Sequence, residues 1–162
     1  MSPDVCWPLG QGTHLRRLRL VDSAQLFRLV EANRSHLRRW MAWVEDVWSP
    51  TDVARFISDS QRVTERGPFA VECALEDDTG LLGAVGLNRI DWQLRTANVG
   101  YWLDAEVEGR GLATAAVRAL SSYGVASLGL LRLEIRSTAE NLRSRGVAER
   151  AGFVHEGTLR SA

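Results

Sequence analysis

From Phe69 to Glu76 the chain alternates strictly, with Phe69, Val71, Cys73 and Leu75 on one side and Ala70, Glu72, Ala74 and Glu76 on the other. A period of two predicts a strand, and the acids predict that its second side faces water, from where Glu72 or Glu76 could reach a substrate cleft. Asp77-Asp78-Thr79-Gly80 is a turn signal. Leu81 to Leu87 then predicts a second strand, and Ala97, Val99, Tyr101 and Leu103 a third after a turn near Asp91. Their short connections predict an antiparallel meander. Leu15 to Leu20 predicts an earlier strand with interleaved arginines. Leu131, Leu133 and Ile135, alternating with Arg132, Glu134 and Arg136, predict a later one, and Gly152-Phe153 starts a short last strand.

Between the strands the period changes to that of a helix. Asp22 reads as an N-cap ahead of Leu26, Phe27, Leu29 and Val30, and a second short helix is predicted to carry Leu37, Trp40 and Met41. Ser49-Pro50-Thr51-Asp52 is a helix start, with Val53, Phe56, Ile57 and Ser60 following at i, i+3, i+4 and i+7. Gly67-Pro68 is expected to end it. Gly111 to Leu128 predicts a helix with an inner face of Ala113, Ala116, Val117, Leu120, Gly124 and Leu128, and Asn141 caps a last helix to about Ala151. A meander in the centre and β-α-β-α-β only towards the end make the fold class α+β, with a mostly antiparallel sheet and helices on both faces.

The chain's 162 residues suit one domain, 1–162, with no repeat and no linker. Twenty basic and twenty acidic residues balance, which argues against a general nucleic-acid binder. Arg16-Arg17 and Arg38-Arg39 read as solvated clusters. Every basic residue is Arg. Without Lys, neither a Schiff base nor a P-loop contact to phosphate can form. Cys6 and Cys73 with three scattered His give no zinc spacing, and Cys73 reads as a small core residue. No signal or membrane-spanning pattern is seen, so no membrane partner and a cytoplasmic setting are expected.

One stretch carries chemistry. Glu108-Gly109-Arg110-Gly111 runs into the small residues Leu112-Ala113-Thr114-Ala115-Ala116 of a predicted helix. Gly109 and Gly111 could merely supply a turn. They also precede a helix N-terminus, whose free N–H groups and positive dipole end favour an anion, and Arg110 adds a cation. A dinucleotide fingerprint is excluded by Thr114 at the third glycine position and by the preceding meander.

Glu108-Gly109-Arg110-Gly111-Leu112-Ala113 resembles the pyrophosphate loop, Q/R-x-x-G-x-G/A, of GNAT-superfamily N-acetyltransferases. "VGYWLD", "LGLLRLEIRSTAENLRSRGVAERAGFVHEGTLR" and "SHLRRWMAWV" resemble the RimJ/RimL-like branch, named for acetyltransferases of ribosomal-protein N-termini. The resemblance implies a GNAT fold and acetyl-CoA-dependent transfer to a primary amine, first a protein or peptide N-terminus. A small-molecule amine, or acyl-CoA binding without turnover, are the alternatives. It implies no metal, and the oligomeric state stays open to a homodimer. It places CoA phosphates at residues 108–114 and pantetheine in the gap between the strands flanking the helix. Glu108 departs from the family's Gln or Arg, which weakens binding unless its side chain points to solvent. The family's C-terminal strand is missing or short here.

The same resemblance brings Ser144 near the CoA sulfur, as the acid that protonates the thiolate, and Asn141 near pantetheine. Ser144 also fits a plain helix-bonding role, and Asn141 a plain cap. His36, Trp40 and Trp43 are expected to wall the acceptor site, with Trp40 alternatively in the core. Glu134 reads as charge-paired with its neighbouring arginines, and His155 as structural. No single general base is assigned.

Overall fold

A computed structural model describes residues 6–160. Six strands form one sheet: β1 (Cys6–Gly10), β2 (Thr13–Arg17), β5 (Val71–Asp77), β6 (Gly80–Asp91), β7 (Thr96–Leu103) and β8 (Arg132–Glu134), in spatial order β1-β2-β5-β6-β7-β8. All neighbours are antiparallel except β7 and β8, which run parallel. A separate two-residue pair, β3 (Val63–Thr64) and β4 (Gly67–Pro68), lies in the connection before β5. Gly67-Pro68 therefore belongs to a small hairpin rather than to a helix end.

Among the described residues, four helices cover the sheet. On one side, Leu112, Ala116, Val117 and Leu120 of α3 (Leu112–Ala126) pack with Val71, Cys73, Leu75, Val85, Leu87 and Val99. Val147 and Ala151, in and just after α4 (Leu142–Arg150), pack against the same cluster. Leu120 is fully buried. Truncating such a side chain to Ala costs about 2–5 kcal/mol, because the transfer energy is lost and a cavity remains. On the other side, Leu26 of α1 (Ser23–Leu37) and Val53 and Ile57 of α2 (Pro50–Ser60) pack on Ala74 and Leu81. The fold is α+β with a mostly antiparallel sheet, as the hydrophobic pattern predicts.

Ser49 caps α2, accepting from the Asp52 N–H at 3.3 Å, and Pro50 opens it. Val53, Ile57 and Ser60 are buried, whereas Phe56 is half exposed. Asp22 stands at the N-cap of α1 without capping it. Its carboxylate instead accepts from Arg16 at 2.7 and 2.9 Å and from the Arg19 N–H at 2.8 Å. Leu37 ends α1 rather than opening a second helix; Trp40 lies in a turn and a short 3-10 turn follows at Ala42–Asp46.

The alternating pattern misplaces three features. β5 is buried on both sides, so Glu72 does not face water; α1 and α2 pack on that side at Ala74. Arg16 is not on a solvated face either, since it bridges Asp22 and Glu76. No strand follows α4 among the described residues; Phe153 packs on the core while Gly152 and Val154–His155 are exposed. β1, whose Cys6–Gly10 stretch has no clear alternation, is an unpredicted edge strand. No helix among the described residues is long and apolar enough to cross a membrane.

The feature that positions the site is the short reach of β8. It pairs with Thr96, Ala97 and Asn98 only, so residues 99–103 of β7 have no strand partner on that edge. The two strands part there, with α3 between them in sequence.

Candidate active site

Asp104 accepts from the Glu106 N–H at 3.1 Å and turns the chain into the loop that follows β7. Gly109 and Gly111 both take positive φ, 81° and 78°. That left-handed region is strained for other residues, which accounts for glycine at both positions. A Cβ at either would meet nothing within 4 Å, so the ground before α3 is open. No side chain caps this helix. The buried Thr114 Oγ1, in the first turn, has no hydrogen-bond partner. Free N–H groups, a positive dipole end and an unpartnered hydroxyl on an open cradle suit an oxygen-rich anion such as a phosphate.

The cradle opens into a cavity of about 770 Å³, large enough for a sizeable cofactor. The unpaired end of β7 supplies Tyr101, Trp102 and Leu103, α4 supplies Ser144, and the end of α1 supplies His36. Asn141 also lines it and caps α4, its Oδ1 accepting from the Ser144 N–H at 3.1 Å. The Ser144 hydroxyl does not bond back to its own helix. It lies 2.9 Å from the Tyr101 hydroxyl, which also donates to the Ser144 carbonyl at 2.8 Å. Burial raises the Tyr101 pKa above its ordinary value, partly offset by the bond to Ser144, so the phenol keeps its proton at neutral pH.

Glu108 turns into the cavity rather than to solvent. Its Oε1 accepts from His36 Nε2 at 2.8 Å, and its Oε2 accepts from Arg143. The acid is therefore charge-matched by a residue on α4. Leu112, Ala113 and Thr114 line the cavity as expected, but Arg110 does not; it is exposed, and its charge acts on Asp77. Trp40 lines the cavity half-buried, with the Arg39 guanidinium 5.3 Å from its ring, and is not a core residue. Trp43 departs from expectation: it does not line the cavity and packs 6.1 Å from Trp102. Glu134 pairs with Arg132 and Arg136 at 2.9 and 3.3 Å. His155 is exposed, 3.3 Å from the Thr158 hydroxyl.

Sequence reasoning missed Tyr101 as a polar partner, because the alternation of β7 assigns it to the apolar side. A hydroxyl on the apolar face of α4 is the signal that could have found it, since such a group needs a partner.

The chain matches the Acetyltransferase (GNAT) domain family over residues 13–154. The ribosomal-protein-serine acetyltransferase of Escherichia coli K12 is 31% identical over 137 residues, 85% of this chain and 76% of that protein. Among solved structures, the microcin C7 self immunity acetyltransferase MccE, in complex with acetyl-CoA and AMP, is similar with a TM-score of 0.82 and 28% identity, over 95% of this chain and 85% of that one. The ribosomal L7/L12 α-N-protein acetyltransferase RimL, in complex with coenzyme A, gives 0.86 and 25%, over 94% and 86%.

Proposed function

The chain belongs to the GNAT acetyltransferase family, and we infer from that premise that it moves the acetyl group of acetyl-CoA to the α-amine of a protein or peptide N-terminus. The observation that carries the reading is one cavity lined by an anion cradle, by a parted strand edge and by His36 and Trp40, with His36 bonded to Glu108 beside the cradle. The E. coli relative, named for acetylating ribosomal-protein serine, supports the acceptor class. The likeness to the microcin immunity enzyme, solved with AMP, favours a small-molecule amine as the second reading.

In this reading the N–H groups of Gly109 to Ala113 and the Thr114 hydroxyl bind the cofactor's phosphates, and the free edge of β7 and Asn141 hold its arm. Bound acetyl-CoA supplies the thioester that is cleaved. Ser144 gives its proton to the leaving sulfur, and Tyr101, still protonated, holds the serine hydroxyl in place and can return a proton to it. A free α-amine, with pKa about 7.7–8.0, is partly neutral near pH 7, so a weak base suffices.

Thiol release from acetyl-CoA tests the acceptor class. We expect turnover with peptides bearing a free α-amine and none when that amine is blocked, even with a lysine side chain present. Turnover restricted to small amines would replace this reading with the second one.

A further inference from the structure

We propose that His36, held by Glu108, is the base that takes the proton from the acceptor amine. The proposal rests on the reading that this cavity transfers an acetyl group to an amine, whichever amine that is.

The titratable groups facing the cavity are few. They are His36 from α1, Tyr101 from β7, Glu108 from the loop, and Arg143 and Arg150 from α4. A guanidinium has no acceptor and keeps its proton, which removes both arginines. Tyr101 is held in its protonated form by burial, so it can donate but not accept at neutral pH. Glu108 has both oxygens engaged, one on His36 and one on Arg143. His36 is left. Carboxylate oxygens only accept, so His36 Nε2 must carry the hydrogen in the 2.8 Å contact. The neutral ring then has its lone pair on Nδ1, which has no hydrogen-bond partner among the described residues.

The arrangement is a base oriented by a carboxylate, itself anchored by a cation, in the same cavity as a hydroxyl poised to donate. Glu108 fixes the tautomer, and Arg143 keeps Glu108 turned inward. Glu108 and Arg143 are positioning residues here. The protons balance. Nδ1 takes one proton from the acceptor ammonium, freeing the nitrogen lone pair. That nitrogen forms the bond to the acetyl carbon, and the carbon–sulfur bond breaks. Ser144 protonates the departing sulfur, and the second amine proton refills the Ser144–Tyr101 pair. His36 releases its proton to solvent after turnover.

The test is kcat/KM against pH for the native chain, His36→Gln, His36→Ala and Glu108→Gln, with a free-amine peptide and with a small amine as alternative acceptors. His36→Gln should lower kcat/KM by about 10²–10⁴-fold at pH 7, the usual span for a general base. It should also erase the fall in rate on the acidic side. Imidazole added to His36→Ala should restore the rate at least about tenfold, which a merely structural role would not allow. Glu108→Gln should lower kcat at saturating acetyl-CoA. A His36→Gln rate within about threefold of native, an unchanged acidic limb, or no imidazole rescue would each overturn the proposal. Native turnover of the small amine alone refutes the peptide reading but leaves this test intact on that amine; native turnover of neither overturns both.

Discussion

Glu72 and Cys73 are consecutive in β5, both are buried, and they point to opposite sides of the sheet. Cys73 sits among Val71, Leu75, Val85 and the apolar face of α3, and burial pushes its thiol up to about 12. It is chemically quiet filling. Glu72 points to the side of the sheet on which α1 and α2 pack, across from Gly86, where a Cβ would collide with the carboxylate. Burial raises its pKa to about 8, against the opposing pull of Arg17 and of Asn88, its hydrogen-bond partner. One side of the sheet is stabilised by apolar area. The other also carries polar groups that tolerate burial because charged partners reach them, as Arg16 does for Asp22 nearby in the chain and for Glu76 far along it. The cavity inherits this division. Its cradle is mostly backbone, laid out by two glycines and a helix start. Beside it stand side chains, His36, Glu108 and Arg143, brought together from three elements.

The largest effect should come where a polar pair intrudes on the apolar side. Ser144→Ala removes a group that acts mainly in the transition state. We expect kcat to fall about 10²–10⁴-fold with acetyl-CoA affinity nearly unchanged, read by steady-state kinetics and calorimetry. A variant that is less stable yet fully active would reduce Ser144 to a helix-packing residue.

On the polar side, Arg16→Ala leaves the buried Asp22 and the half-buried Glu76 without the guanidinium they share. Breaking such a bridge costs about 3–5 kcal/mol, which urea unfolding should register. A loss under about 1 kcal/mol would mean that the two sides of the sheet do not differ as described.

Glu72 gives a smaller, pH-dependent effect. Its carboxyl sits at about 8 in the folded chain against an ordinary 4.5. Between those values the unfolded chain has released a proton that the folded chain keeps. Its stabilising contribution is therefore complete below about pH 4.5 and is lost as pH rises through about 8. The slope reaches about 1.4 kcal/mol per pH unit. Unfolding free energies at pH 5 and pH 8 should converge in Glu72→Gln relative to native. An equal difference in both proteins would show that Glu72 ionises normally.

What could be read from the sequence follows the same division. The glycines, the Ser49-Pro50 helix start and the Asn141 cap are local signals, and each stands where the pattern puts it. Strict alternation found β5 but not its second covering, because a period of two cannot tell a polar face under a helix from one under water. Glu108 and His36 are 72 residues apart, as are Asn33 and Ala105, whose N–H donates to the Asn33 side chain at 2.9 Å. No spacing rule reaches that far. Trp43 and Trp40 look alike in sequence, and only the turn after α1 separates a cavity wall from a Trp102 contact.

The account stands most directly on the backbone cradle at Gly109 and Gly111. Acetyl-CoA binding by titration calorimetry to native, Gly111→Val and Thr114→Val proteins tests it, with circular dichroism to confirm that each is folded. Valine at a φ of 78° is strained and places bulk on the open cradle, whereas Thr114→Val keeps the shape and removes only the unpartnered hydroxyl. The cradle predicts a dissociation constant raised at least about tenfold by Gly111→Val, about 1.4 kcal/mol, and a smaller rise for Thr114→Val. Folded variants that both bind acetyl-CoA as tightly as the native protein would contradict it.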